Sequence, residues 1–301
     1  MKKTKTSLAR KIFIVFDYLV LIFLAVVCLL PILHVAFASV SDPNWVMNQS
    51  GLILKSHGFT LEGYKLVFQT RQLMGSYGNT LFYVFASTAL GMLITVLGAY
   101  PLSKSDLLWS NALMLIISFT MMFSGGIITF YMVVRSLGMY NTRLAVILPT
   151  CVSAFNLILV RTAMATLPKE LEESARLIAR LDGAGPIAVL FKIVLPLIKA
   201  TLATVTLYYV VANWNSWFNA SIFLTDRDKY PLQLILREVL IRNDTSSATS
   251  ASSGELAGLA DSYKQIIKYC TIMVASVPIL CFYPFVMKYF KKGVMVGSIK
   301  G

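Results

Sequence analysis

A chain of 301 residues that is 57% hydrophobic and only 14% charged, with a mean hydropathy of +0.71, is too apolar for a soluble domain, where about a quarter of the residues carry charge. The excess points to an integral membrane protein. The net charge of +13 is therefore read for topology, because basic residues gather in cytoplasmic loops, and no nucleic-acid partner is expected.

The N-terminal tail, residues 1–11, carries Lys2, Lys3, Lys5, Arg10 and Lys11 and precedes an apolar run from Ile12 to about Val40. That run exceeds the roughly 7–15 apolar residues of a signal peptide, and no small-residue cleavage site closes it early. It reads as an uncleaved first membrane helix. Asp17, near its cytoplasmic end, can snorkel, pair with a neighbouring Lys or serve a proton relay.

A spanning helix needs about 20 mostly apolar residues. Six segments qualify: about Ile12–Ala38, Thr80–Leu102, Leu107–Val134, Leu144–Arg161, Ile193–Phe218 and Ile267–Phe290. Six spans put both termini on one side. The basic tail, Lys104, Lys169, Arg176, Arg180, Lys192 and the C-terminal Lys288, Lys291, Lys292 and Lys300 assign that side to the cytoplasm. The expected fold is all-α and polytopic, with residues 12–301 forming a single membrane domain.

Two outer segments are long, about 39–78 and 219–265. In the first, GFTLEGYKLVF reads as a short amphipathic helix that Thr60 can cap. In the second, Leu232, Leu234, Ile235, Val239 and Leu240 fit another amphipathic helix. NDTSSATSASSG follows and reads as a flexible linker. Gly125-Gly126, Pro149, Pro278 and Pro284 are places where spans can kink or approach closely.

Lines of chemistry are missing. There is no GxxxxGK[ST], HExxH or GxSxG. The four cysteines and two histidines are scattered and form no metal-ligand pattern. A membrane-embedded enzyme would need a convergent set of acids, bases or metal ligands, so no catalytic or metal site is expected.

The polar loop Pro168–Pro196 stands out between apolar segments. Pro168 suits a first helical position, and Glu170, Glu172 and Glu173 follow where the helix dipole favours acids. Glu172 and Arg176 sit at i, i+4. Asp182-Gly183-Ala184-Gly185-Pro186 breaks the helix, and a second short helix, about Ile187–Ile193, leads into Leu195-Pro196.

This loop resembles the EAA loop of membrane-spanning subunits of bacterial ATP-binding-cassette importers, whose pattern is Glu-Ala-Ala, three residues, Gly, nine residues, Ile-x-Leu-Pro. Here Gly183, nine residues, Ile193, Val194, Leu195 and Pro196 match in register, and the first half is Glu173-Ser174-Ala175. NTLFYVFASTALGMLITVLGAYPLSK, NWNSWFNASIFL, GFTLEGYKLVF and KKGVMVGSIKG also look like the carbohydrate branch, most of all the permeases for complex-polysaccharide fragments in Gram-positive bacteria.

The resemblance implies a plasma-membrane permease subunit moving a sugar or oligosaccharide, with a polyol or other polar solute as the rival cargo. It implies a second, homologous permease, two ATPase subunits that bind the ATP and magnesium, and an extracellular lipid-anchored binding protein. No cofactor is expected in this chain. The ATPase-coupling element implied is Glu172, Glu173, Ser174, Ala175, Arg176, Asp182, Gly183 and Ala184. Glu173 would meet a basic residue of the ATPase or fix the loop internally, and Gly183 would permit the tight turn.

One departure is specific. Seven residues, Arg176–Asp182, lie between Ala175 and Gly183 where the family has three. Four extra residues add about one helical turn, roughly 40° of rotation and about 6 Å, so Glu173 keeps nearly the same face and the extra turn is expected to be tolerated.

The fifth span closes on Asn213, Trp214, Asn215, Ser216, Trp217, Phe218 and Asn219. Aromatic faces and amides suit a sugar, so Asn213, Trp214, Asn215, Trp217 and Asn219 are the candidate substrate path. Amides are costly against lipid and should face a polar interior. For Trp217 an aromatic belt at the outer interface is the alternative.

Overall fold

The computed structural model describes residues 8–104, 106–168, 185–249, 264–281 and 284. Every regular element among these residues is helical. The chain divides into two compact units, one of Met1–Thr70 with Glu238–Ser276 and one of Arg71–Arg237 with Val277–Gly301.

The first unit opens with α1, Leu8–Ser39. Its most apolar stretch is wholly exposed, as a helix facing hydrocarbon must be. Its end is fastened to the segment that follows it: Ser39 Oγ and Tyr64 Oη lie 2.8 Å apart, Ile53 N–H donates to His34 Nδ1 at 3.0 Å, and Ala38, Val46 and Ile53 form a buried cluster. Asp42 caps α2, Pro43–Met47, by accepting from Asn44 and Trp45 N–H. The expected amphipathic helix is α3, Glu62–Gln69, and Thr60 Oγ1 accepts from Glu62 N–H at 3.3 Å.

The second unit is built on α4, Arg71–Leu102, which packs against most of its other helices. The third expected span is not one helix. It is α5, Ser110–Met122, and α6, Gly126–Ser136, bent by 114°. Gly126 at φ +75° makes the corner, a conformation open to glycine at no steric cost.

The fourth expected span is also broken, into α7, Leu144–Ile147, and α8, Ala154–Ala165. Pro149 lies in the gap and cannot supply a helical N–H. Ser153 then starts α8 by accepting from Asn156 N–H at 3.4 Å. Arg161 Nε and Ser110 Oγ both donate to Leu102 O at 3.1 Å, placing a cation at the C-terminal pole of α4.

The fifth span divides into α9, Pro186–Leu197, and α10, Lys199–Trp214, bent by 89°. Residues Leu190–Val194 of α9 wind as a π turn. Pro196 has no N–H for the carbonyl four residues back and its ring crowds that turn, which accounts for the wider winding and the break after it. α11 is Phe218–Phe223. α12, Leu232–Thr249, begins in this unit, with Leu232, Leu234 and Ile235 buried as the pattern required. It runs on through Asn243–Thr249, where the sequence reads as linker. A helix nucleated by buried Leu232–Ile235 extends at the cost of propagation only. α13 is Lys264–Cys281.

Three helices (α1, α4 and α13) are each long and apolar enough to cross a membrane among the described residues, and each bent pair passes the same test jointly.

Polar side chains of α4 hold the segment after α11. Asn79 Nδ2 donates to Asp228 O at 2.6 Å, Tyr83 Oη to Lys229 O at 2.8 Å, and Leu232 N–H donates to Thr80 Oγ1 at 2.8 Å. Asn141, at φ +56°, accepts from Thr225 and Asp226 N–H. The Asp228 N–H and the Lys229 ammonium hold the Asp226 carboxyl below its usual range.

Candidate functional site

Three helices meet where α4 lacks a side chain. A Cβ built on Gly91 would stand 2.2 Å from Cys151 O and 3.2 Å from Tyr209 Cε1, so α4 lies directly on the backbone that joins α7 to α8. Beside that contact, Tyr209 of α10 places its hydroxyl 2.7 Å from Thr95 Oγ1 and accepts from Ser153 N–H at 3.1 Å. One buried phenol therefore ties α4, the start of α8 and α10 together. Tyr209→Phe keeps the ring but strands both partners, at a cost of about 1–3 kcal/mol. Thermal unfolding of the purified protein should show a lowered midpoint, while Tyr208→Phe, at an exposed position, leaves it in place.

Above this junction lies a cavity of about 560 Å3. The break between α7 and α8 contributes Thr150 and Ser153 to its wall, and the first turn of α8 contributes Phe155 and Asn156. α10 and the turn after it contribute Tyr208, Tyr209, Ala212, Asn213, Asn215, Ser216 and Trp217, and α11 adds Phe218 and Asn219. The wall is built where helices stop and start, at the link from α7 to α8 and at the turn from α10 to α11.

Four of the five residues singled out for a substrate path, Asn213, Asn215, Trp217 and Asn219, line this cavity. Trp214 does not; it is 5% exposed and meets Tyr77 edge-on, ring centroids 6.0 Å apart. One residue of helix rotation, about 100°, separates its face from that of Asn213, and Asn215 lies past the end of α10. Asn213 Nδ2 is buried without a hydrogen-bond partner among the described residues. Asn215 Nδ2 donates to Val211 O at 2.9 Å. Trp217 is stacked by the Arg237 guanidinium at 3.5 Å, a cation–π contact that fixes the ring.

The sequence reading passed over Asn156, Phe155 and Tyr208. Phe155 and Tyr208 sit 6.1 Å apart at a tilt and both are exposed toward the cavity. Asn156 carried a usable signal, an amide within an apolar run, to which the argument made for Asn213 applies equally. The two aromatic residues carried none, because any apolar helix has such residues.

The loop divides at the limit of the described residues. Glu172, Glu173, Ser174, Ala175, Arg176, Asp182, Gly183 and Ala184 lie outside them. The returning half is described: Val189, Leu190, Val194 and Ile198 are buried against Val96 and Ala99 of α4, Val160 and Met164 of α8, and Val205 and Tyr209 of α10. The stem of the loop is thus seated on the helices that wall the cavity, and Tyr209 belongs to both. Among the described residues no group of three His, Cys, Asp or Glu side chains is placed to hold a metal ion.

Comparison with known proteins bears on this arrangement. Residues 87–295 match the family described as "Binding-protein-dependent transport system inner membrane component". The chain is 37% identical over 95% of its length to the polygalacturonan/rhamnogalacturonan transport system permease protein YtcP of Bacillus subtilis, covering 98% of that protein. It is 39% identical to protein LplC of the same organism, over 95% of each chain. A solved bacterial ABC transporter involved in import of the acidic polysaccharide alginate superposes with a TM-score of 0.83 at 30% identity, over 96% of this chain and 100% of that one. With that family spanning α4 to the C-terminal region, loop stem and cavity wall included, this chain belongs to the inner membrane components of binding-protein-dependent transport systems.

Proposed function

We propose that this chain is the permease subunit of an ATP-driven importer of sugar oligomers in a bacterial plasma membrane. It crosses the membrane six times with both termini in the cytoplasm, and it pairs with a second, homologous permease. The loop 168–196 docks on an ATPase subunit, one of two, which binds the ATP and magnesium that this chain has no phosphate-cradling loop to hold. Glu172–Arg176 and Asp182–Ala184 form the docking element, and a lipid-anchored binding protein delivers cargo from outside.

The observation that carries this reading is the cavity. It joins asparagine amides to aromatic faces, the combination that recognises hydroxyls and the C–H faces of sugar rings, and it rests on the same packed cluster as the loop stem. Movement of the stem therefore reaches the cavity wall through direct contact. Relatives named for polygalacturonan/rhamnogalacturonan and for arabinooligosaccharides support the cargo class.

The test is reconstitution of the chain with its candidate partner permease, ATPase and binding protein in liposomes, against a panel of oligosaccharides. One or more should stimulate ATP hydrolysis and enter the vesicles. Asn215→Leu should lower uptake by about tenfold, the worth of one or two lost hydrogen bonds, with membrane insertion intact. Unchanged uptake removes the cavity from the path, and a panel without any stimulating sugar removes the cargo class.

A further inference from the structure

We infer that this chain's cavity selects neutral sugar units and discriminates against uronates, an inference that rests on reading the cavity as part of the sugar path. Its wall consists of amides, hydroxyls, aromatic rings and one alanine, with no Asp, Glu, Lys, Arg or His among the described lining residues. Two of the amides have unused capacity. Asn156 is 4% exposed and its side chain has no hydrogen bond among the described residues, its backbone N–H alone being engaged with Ser153. Asn213 Nδ2 is buried without a partner.

An amide both donates and accepts, as a sugar hydroxyl does, whereas a carboxylate only accepts. A carboxylate entering such a recess gives up part of its hydration and meets no compensating cation among the described lining residues. Helix dipoles do not supply one. α8 begins at this wall with Ser153 and Phe155 and the short α11 with Phe218 and Asn219, each presenting a positive pole, while α10 ends there with Ala212 and Asn213, presenting a negative one; poles of both signs partly cancel, and none is a full charge. Arg237 comes near but is held against the Trp217 ring at 3.5 Å and is not part of the lining. The exposed rings of Phe155 and Tyr208 add surface for uncharged C–H faces.

The test uses the full chain in lipid nanodiscs and two probes of one backbone, tetragalacturonate and its uncharged, fully methyl-esterified form, with binding read by calorimetry. The ester should bind at least about tenfold more tightly. Asn215→Lys, a change at an exposed cavity position, should shift the ratio of tetragalacturonate to ester affinity by about tenfold toward tetragalacturonate. Tetragalacturonate binding as tightly as the ester to the unaltered chain overturns the inference while leaving the sugar path standing. Ester preference that Asn215→Lys does not change also overturns it, because binding then lies elsewhere. If neither probe binds and Asn213→Ala has no effect on uptake in the reconstituted importer, the sugar path itself falls.

Discussion

Gly91→Ala should be the most damaging single methyl added at any described glycine of this protein. The new carbon would stand 2.2 Å from the Cys151 carbonyl oxygen, and a backbone atom cannot rotate away as a side chain does. Overpacking a filled interior costs about 1–3 kcal/mol, and this contact belongs at the upper end. Thermal unfolding of the purified variant should show a clearly lowered midpoint or little folded material. Gly78→Ala, also in α4 but with nothing within 4 Å of the added carbon, is the control and should be neutral or stabilising by up to about 1 kcal/mol. Equal effects from the two would mean that α4 does not press on the α7–α8 link. The effect should also reach function, since Thr150 and Ser153 flank Cys151 in that link and line the cavity.

Deleting Leu177–Arg180 should abolish sugar-stimulated ATP hydrolysis in the assembled importer. The deletion restores the family spacing before Gly183, but if the segment is helical, as its sequence predicts, the deletion also draws Glu173 back by about 6 Å and turns it by roughly 40°. The stem cannot absorb that change, because Val189, Leu190 and Val194 are fixed in the buried cluster with α4, α8 and α10. On the proposed reading the ATPase cleft is matched to the longer loop, so the shortened one should fail to engage it. Insertion and sugar binding should remain, as the cavity shares no residue with the deleted turn. Improved coupling would show instead that the extra turn is a handicap and that the cleft keeps the ordinary spacing.

These two predictions draw on different sources, and the difference shows how the molecule is encoded. The loop pattern is legible in the chain because it is local: Gly183 through Pro196 is one uninterrupted stretch, and its spacing survives without knowledge of anything it touches. The membrane class was equally legible, since 57% hydrophobic residues in long runs leave few alternatives. The Gly91 contact was not legible. Gly91 looks like any glycine of an apolar helix, and what makes it necessary is Cys151, sixty residues away.

Helix continuity shows the same division. Gly125-Gly126 and Pro149 marked places where spans can bend, and the chain does break there, but hydropathy summed along a segment cannot distinguish one helix from two at 114°. The faces of α10 were half legible. Asn213, Asn215, Trp217 and Asn219 share the cavity, while Trp214, within the same short run, is turned onto Tyr77.

By itself, then, the sequence determined an all-α membrane protein, the loop pattern from Gly183 to Pro196 and the cluster of amides at the end of the fifth segment. Each follows from composition or from spacing within a few turns, where 1.5 Å of rise per residue fixes the geometry. Only the tertiary structure decided that the broken helices enclose a recess, that Asn156 joins it, that Trp214 leaves it, and that Tyr209 links it to the loop stem. Those facts depend on which faces meet between distant segments, and in hydrocarbon that is settled by close packing and by satisfying each polar group, information that no single segment carries.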